Sequence, residues 1–172
     1  MDERERARIR AAIDAAEGGG NVPPASDEQL RHLLAGSRTI AVVGASPKPD
    51  RPSHGVLLAL KAAGWRILPV NPAANAMADG VAGLPCYPDL AAAAASLPEG
   101  QRIDLVDVFR RPEDCAAVTQ EAIATGAGAI WLQLGIISTE AASLAVEAGI
   151  PFVQDRCTAI EAQRLRVAGP SA

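Results

Sequence analysis

The densest group of side chains able to do chemistry lies in Val43-Gly-Ala-Ser-Pro-Lys-Pro-Asp-Arg-Pro-Ser-His-Gly55. Gly44 allows a tight turn and a close approach of backbone to a ligand. Ala45 and Ser46 are small, which predicts exposed amides and a hydroxyl beside it. Lys48 and Arg51 add cations on a loop stiffened by Pro47, Pro49 and Pro52. A helix expected from about Ser53 turns its N-terminus, with unpaired N–H groups and a positive dipole end, toward the same space. This is the chemistry of anion binding, and a diphosphate suits it. In the plainer alternative, Gly44 only opens a strand-to-helix turn and the charges are solvated.

What is missing narrows the choice of anion. An NAD-type loop needs Gly-x-Gly-x-x-Gly and an acidic residue at the end of the second strand. Here Ser46 stands in place of the second glycine, and the second strand ends in Val70-Asn71-Pro72, with neither a carboxylate nor an arginine. No Gly-x-x-x-x-Gly-Lys-Ser/Thr occurs either.

The remaining reactive groups are scattered. Cys157 follows Asp155-Arg156 just past an expected strand, where a nearby arginine and a helix start can favour a thiolate. The plainer reading packs it beneath the last helix, and Cys86 and Cys115 are read as structural. His54 is a ring packed by a ligand or an acid–base group; with no second titratable partner in its motif, packing is the better reading. Asp104 and Asp107 lie within a strand, where Asp107 is expected to cap a neighbouring loop, and Trp131 is expected in the core.

The elements that must position these groups read as alternating strands and helices. Thr39–Val43, Trp65–Val70, Ile103–Phe109, Ala129–Gln133 and Pro151–Val153 are apolar runs of strand length, and 83–87 reads as a short edge strand. Ser26 and Gln29 form a capping box before a helix ending at Gly36. Further helices are expected from Ser53 to Gly64, from Asp89 to about Leu97, over 112–125, over 138–148 closed by Gly149, and over 158–166. Alternation of this kind predicts an α/β fold: a three-layer, doubly wound parallel sheet covered by helices on both faces. The domain is expected over 26–166. Residues 1–25 are read as an amphipathic helix (2–17) and a Gly/Pro linker, and 167–172 as a flexible tail. In such sheets ligands bind beyond the carboxyl ends of the strands, where strand order reverses.

Composition excludes several functions. At 49% hydrophobic and 21% charged, the 172 residues can bury a core. A net charge of −4 gives no basic field for nucleic acid, and five aromatic side chains (two Trp, one Tyr, two Phe) make no stacking surface. No apolar run is long enough to span a membrane. Three widely spaced cysteines and no secretory signal at Met1 point to a cytoplasmic setting. Two histidines, His32 and His54, rule against a multi-histidine metal site.

Five strand-end motifs taken together carry a family resemblance: Val43 to Gly55, Pro69-Val-Asn-Pro72, Asp104-Leu-Val-Asp-Val-Phe-Arg110, Ala129-Ile-Trp-Leu-Gln-Leu-Gly135 and Asp155-Arg-Cys157. Over about residues 28–165 the chain resembles the stand-alone CoA-binding domain proteins, which are similar to the CoA-binding domain of the succinyl-CoA synthetase alpha subunit. The resemblance implies a Rossmann-type fold that binds coenzyme A. It implies that Gly44, Ala45 and Ser46 face the diphosphate and that Lys48, Arg51 and Ser53 reach phosphates. Asn71 and Pro72 would lie beside the adenosine, Phe109 would cover adenine, and Arg110 or Arg111 would pair with a phosphate. A missing ribose carboxylate agrees with this, because a 3′-phosphate would repel one. Two departures stand out. His54 occupies a position where a tyrosine is expected, and Gln133-Leu-Gly-Ile-Ile-Ser138 holds no histidine to carry a phosphoryl group. The resulting expectation is a non-catalytic carrier, sensor or regulatory module for CoA or acyl-CoA, with a protein partner or homo-oligomer possible. The alternatives are CoA-thiol chemistry at Cys157 and an oxidoreductase with an atypical NAD(P) loop.

Overall fold

The structure, a computed structural model, describes residues 22–171. The helix expected over 2–17 lies outside the described residues. The chain order is α1 (Asp27–Gly36), β1 (Thr39–Val43), α2 (Pro52–Ala62), β2 (Arg66–Val70), a short 3-10 helix (Ala74–Ala76), α3 (Leu90–Ala95), β3 (Leu105–Val108), α4 (Pro112–Ala124), β4 (Ile130–Leu132), α5 (Thr139–Ala148), β5 (Phe152–Val153) and α6 (Thr158–Leu165).

All strand pairs are parallel, in the order β2-β1-β3-β4-β5. Strand residues alternate between two cores. Ala41, Val43, Val106, Val108, Ile130 and Leu132 face a cluster with Leu90, Cys115, Ala122 and Ala145 of α3, α4 and α5. Ile40, Val42, Leu105 and Trp131 face Leu30, Leu34, Leu57, Leu60, Ala162 and Leu165 of α1, α2 and α6. With both faces covered, none of the five described strands alternates apolar with polar residues, which is why β1 reads as an unbroken apolar run. Burying a Leu or Ile at such a position contributes roughly 1.5–3 kcal/mol.

Local signals hold the helix ends. Ser26 Oγ accepts from the Gln29 amide at 3.2 Å while Gln29 Oε1 accepts from the Ser26 amide at 2.8 Å, completing the capping box. Asp89 caps α3 through the Ala92 amide at 2.7 Å, and Ser138 caps α5 through that of Ala141 at 3.1 Å. Gly149 closes α5 in the left-handed region at φ 68°. The last carbonyls of α1 take the indole N–H of Trp65, which lies 3.3 Å from Leu34 O and 3.1 Å from Ser37 O. Arg164 of α6 forms a two-pronged pair with Asp27 of α1, at 2.6 and 3.0 Å.

Two segments differ in detail from the sequence reading. The edge strand expected over 83–87 shrinks to single bridges, Val70 with Tyr87 and Val81 with Leu84, so the sheet has five strands. Pro85 and Pro88, which cannot donate to a ladder, flank the residues that pair. The tail expected from 167 runs, through Ser171, along the C-terminal end of α2, where the Gly169 amide donates to Ala63 O at 2.8 Å.

Candidate functional site

Strand register fixes the site. Val43 is paired with Val70 on one side and Val108 on the other, and Val108 with Leu132. The residues that follow these strands, Gly44, Asn71, Phe109 and Gln133, therefore emerge at one edge. The chain leaves β1 toward β2 and returns on its other side as β3, so strand order reverses between β1 and β3. A cleft of about 660 Å³ opens there, within the range of small-molecule sites.

Gly44 lies at φ +86°, and a Cβ on it would stand 2.5 Å from Phe109 O. The glycine is required by the neighbouring strand end, whatever the cleft holds. The amides of Gly44 and Ala45 both donate to Val70 O, at 2.9 and 3.2 Å. For Ala45 this corrects the expectation of an exposed amide: the loop folds back over β2 and spends it there. Ala45 is fully buried, and its carbonyl takes the Asn71 side-chain amide at 2.8 Å. Asn71 Oδ1 takes the Ala73 amide at 2.9 Å. Both residues build the loop and neither lines the cleft.

Past this anchor the loop turns outward. Ser46 Oγ accepts from the Lys48 amide at 3.2 Å, and His54 Nδ1 lies 2.8 Å from Ser46 O. A carbonyl can only accept, so Nδ1 carries a proton. His54 is half-buried and does not line the cleft; it pins the loop to α2. Pro52 begins α2 without an N–H, and Ser53 follows it, its amide lacking an acceptor within the helix.

Of the residues singled out in the sequence, Gly44, Ser46, Lys48, Arg51, Ser53, Phe109, Arg110 and Arg111 line this one cleft, whereas Ala45, His54, Asn71 and Pro72 do not. Lys48 and Arg51 are exposed and have no ion pair among the described residues. Arg110 pairs with Asp114 at 3.4 Å, and Arg111 with Asp114 and Glu113 at 3.3 and 3.5 Å. Four cations thus converge from the loops after β1 and β3, inside a protein of net charge −4.

The other half of the cleft is apolar. Leu134, Ile136, Ile160 and the Cys157 thiol line it, supplied by the segments after β4 and β5. Leu134 is 44% exposed and Ile160 55%, unusual for side chains of that size. Those segments are tied together: Asp155 Oδ1 accepts the Gly135 amide at 2.7 Å, and Trp131 Nε1 donates to Arg156 O at 2.8 Å. Trp131 is fully buried, as expected. Cys115 is buried, its thiol directed at Arg111 O at 3.3 Å and pushed up to about 11 by desolvation and by Asp114 and Glu113. Burial also raises Cys86.

Sequence reasoning missed one feature beneath the cleft floor. Asp107, fully buried in β3, accepts from Gln133 Nε2 at 2.5 Å and from Thr158 Oγ1 at 2.8 Å. Burial raises its carboxyl to about 7 against the opposing pull of those bonds. Asp107 therefore joins β3 to the end of β4 and the start of α6, a role broader than a loop cap. Asp104 sits at the opposite end of β3, where Oδ2 accepts the Arg38 and Thr39 amides, both at 2.9 Å. No group of His, Cys, Asp or Glu able to hold a metal occurs among the described residues. No helix among them is long and apolar enough to cross a membrane.

With this geometry in place, comparison with known proteins is specific. Residues 38–163 match the family described as CoA binding domain. The uncharacterised protein YneT of Bacillus subtilis is 38% identical over 133 residues, which is 77% of this chain and 90% of that protein. The solved structure of a hypothetical protein from Pyrococcus horikoshii superposes with a TM-score of 0.72 at 34% identity, covering 85% of this chain and 98% of that one. A structure from Thermus thermophilus gives 0.71 at 38% identity, covering 82% and 99%.

Proposed function

Because the chain belongs to this CoA-binding domain family, we propose that its cleft binds coenzyme A or an acyl-CoA, and that it serves as a non-catalytic carrier, sensor or regulatory module. The observation that carries the proposal is the division of a single cleft. Cations stand on the β1 and β3 side, and apolar side chains on the β4 and β5 side. Coenzyme A is divided in the same way, with a diphosphate and a 3′-phosphate at one end and a long, weakly polar arm ending in a thiol at the other. Lys48 and Arg51 have no carboxylate partner among the described residues, so a phosphate meets them without first displacing one. The Ser46 hydroxyl and the start of α2 complete the phosphate end. Phe109 lines the same cleft and is the residue proposed to cover the base.

The NAD(P) alternative finds no support at the end of β2. Asn71 stands there with its side chain committed to Ala45 O and the Ala73 amide, and neither a carboxylate nor an arginine takes a ribose hydroxyl or a 2′-phosphate. A second reading within the CoA class is favoured by Cys157, which lines the arm end. Its thiolate can attack a CoA disulfide, forming a protein–CoA mixed disulfide and releasing one CoA thiolate.

Thermal melting tests the main reading. A ligand that binds only the folded protein at 100 times its Kd stabilises by about 2.7 kcal/mol. CoA is expected to raise Tm by several degrees where NAD, NADP and ATP at equal concentration do not. No response to millimolar CoA would refute the proposal.

A further inference from the structure

Resting on the reading of the cleft as a CoA site, we infer that Asp107 is a positioning residue for ligand recognition. It locks the Gln133 carboxamide so that Oε1, rather than Nε2, is presented to the cleft, and the site thereby selects a ligand arm that donates a hydrogen bond at that point.

The ring of bonds fixes the orientation. Asp107 Oδ1 accepts from Gln133 Nε2 at 2.5 Å, Asp107 Oδ2 accepts from Thr158 Oγ1 at 2.8 Å, and Gln133 Nε2 also donates to Thr158 Oγ1 at 2.8 Å. Both hydrogens of the Gln133 amide are thus consumed. With Asp107 ionised, as at pH 8, turning the carboxamide over would set its oxygen against a carboxylate and against a hydroxyl that already has its acceptor, so there the assignment follows from donor and acceptor chemistry. Gln133 is only 3% exposed but lines the cleft. No buried side-chain nitrogen or oxygen among the described residues lacks a partner. Oε1 accepts no bond from them, so it is the atom open to the cleft.

Its place in the sheet identifies what it meets. β4 lies on the far side of β3 from β1, so Gln133 is displaced from Lys48 and Arg51 toward Leu134 and Ile136. A carbonyl-type oxygen repels phosphate and leaves an apolar group unsatisfying to it. It fits an N–H or O–H carried by an otherwise apolar arm, and the secondary amides of the CoA arm are such donors. The ring also accounts for an acid buried in β3 with no cation beside it among the described residues, a costly choice unless it holds something in place.

The test compares CoA with adenosine 3′,5′-bisphosphate, which keeps the nucleotide end and lacks the arm, by titration calorimetry at pH 8. In Asp107→Asn the ring closes equally well with the Gln133 carboxamide reversed. Its affinity for CoA is expected to fall about five- to tenfold, the usual effect of one hydrogen bond, with the bisphosphate unchanged. Gln133→Met, which removes the acceptor and keeps the volume, is expected to show the same pattern and carries the test if Asp107→Asn does not fold. Wild-type CoA affinity in the folded variants, or an equal loss for both ligands, would overturn the inference. A wild-type protein that binds neither molecule would instead show that the site itself is misread.

Discussion

The carbonyl oxygen of Phe109 lies where a Cβ of residue 44 would have to go, 2.5 Å from its ideal position. Phe109 is itself tied to that strand end, its amide donating to Val43 O at 2.8 Å. The loop after β1 and the end of β3 are thus packed backbone against backbone. Gly44→Ala meets both this contact and a left-handed φ, and should cost at least about 2 kcal/mol. Urea unfolding measures the loss, and a variant as stable as wild type would show that the two strand ends are free to move apart.

Arg51 and Arg110 should weaken CoA binding unequally when truncated. Arg51 has no ion pair among the described residues, whereas Arg110 is shared with Asp114 at 3.4 Å. Arg51→Ala is expected to cost about 1–3 kcal/mol of binding free energy, and Arg110→Ala less, with Tm of the free protein little changed in either. Calorimetry in low and high salt checks this, since phosphate contacts of this kind weaken on screening.

Asp107 makes stability depend on pH in a definite direction. Its folded-state value of about 7 exceeds the ordinary 3.8, so the folded protein holds a proton that the unfolded chain has released. The contribution is full below about pH 4, falls as pH rises to about 7, and is constant above that. The stability of the wild type relative to Asp107→Asn should therefore drop across this window by on the order of 3–4 kcal/mol. Denaturant curves at pH 4.5, 6 and 8 give the slope; a flat difference would contradict it.

Cysteine reactivity should separate the three thiols. Cys157 lines the cleft, while Cys115 is buried and held at about 11. Iodoacetamide at pH 8 is expected to modify Cys157 first, and Cys115 only in denaturant. CoA should slow the reaction at Cys157, as peptide mass spectrometry would show. Equal rates with and without CoA would place the arm elsewhere.

Much of the fold was legible because its signals are local. The run Thr39–Val43 is a strand with those bounds, and Ser26, Asp89 and Ser138 each cap the helix that follows them. The strand-end rule led to the loops that meet in the cleft. What escaped depends on partners distant in sequence. The amide of Ala45 looked open because nothing nearby reveals that Val70 O takes it. Asp107 meets Gln133 26 residues on and Thr158 51 residues on, spacings that no periodic pattern encodes. The same distance dependence explains 83–87, where an apolar stretch found only single bridges beside its prolines.

At two residues, β5 is the shortest strand described, and it is paired along one edge only. Yet it carries the segment that brings Cys157 to the cleft, whereas the cationic side, with Lys48 and Arg51, is rooted in β1, which is paired along both edges. Amides near β5 are accordingly expected to exchange with solvent sooner than those of β1, which hydrogen exchange would measure. The cationic wall of the cleft therefore stands on the persistent middle of the sheet, and its apolar wall on the margin that frays first.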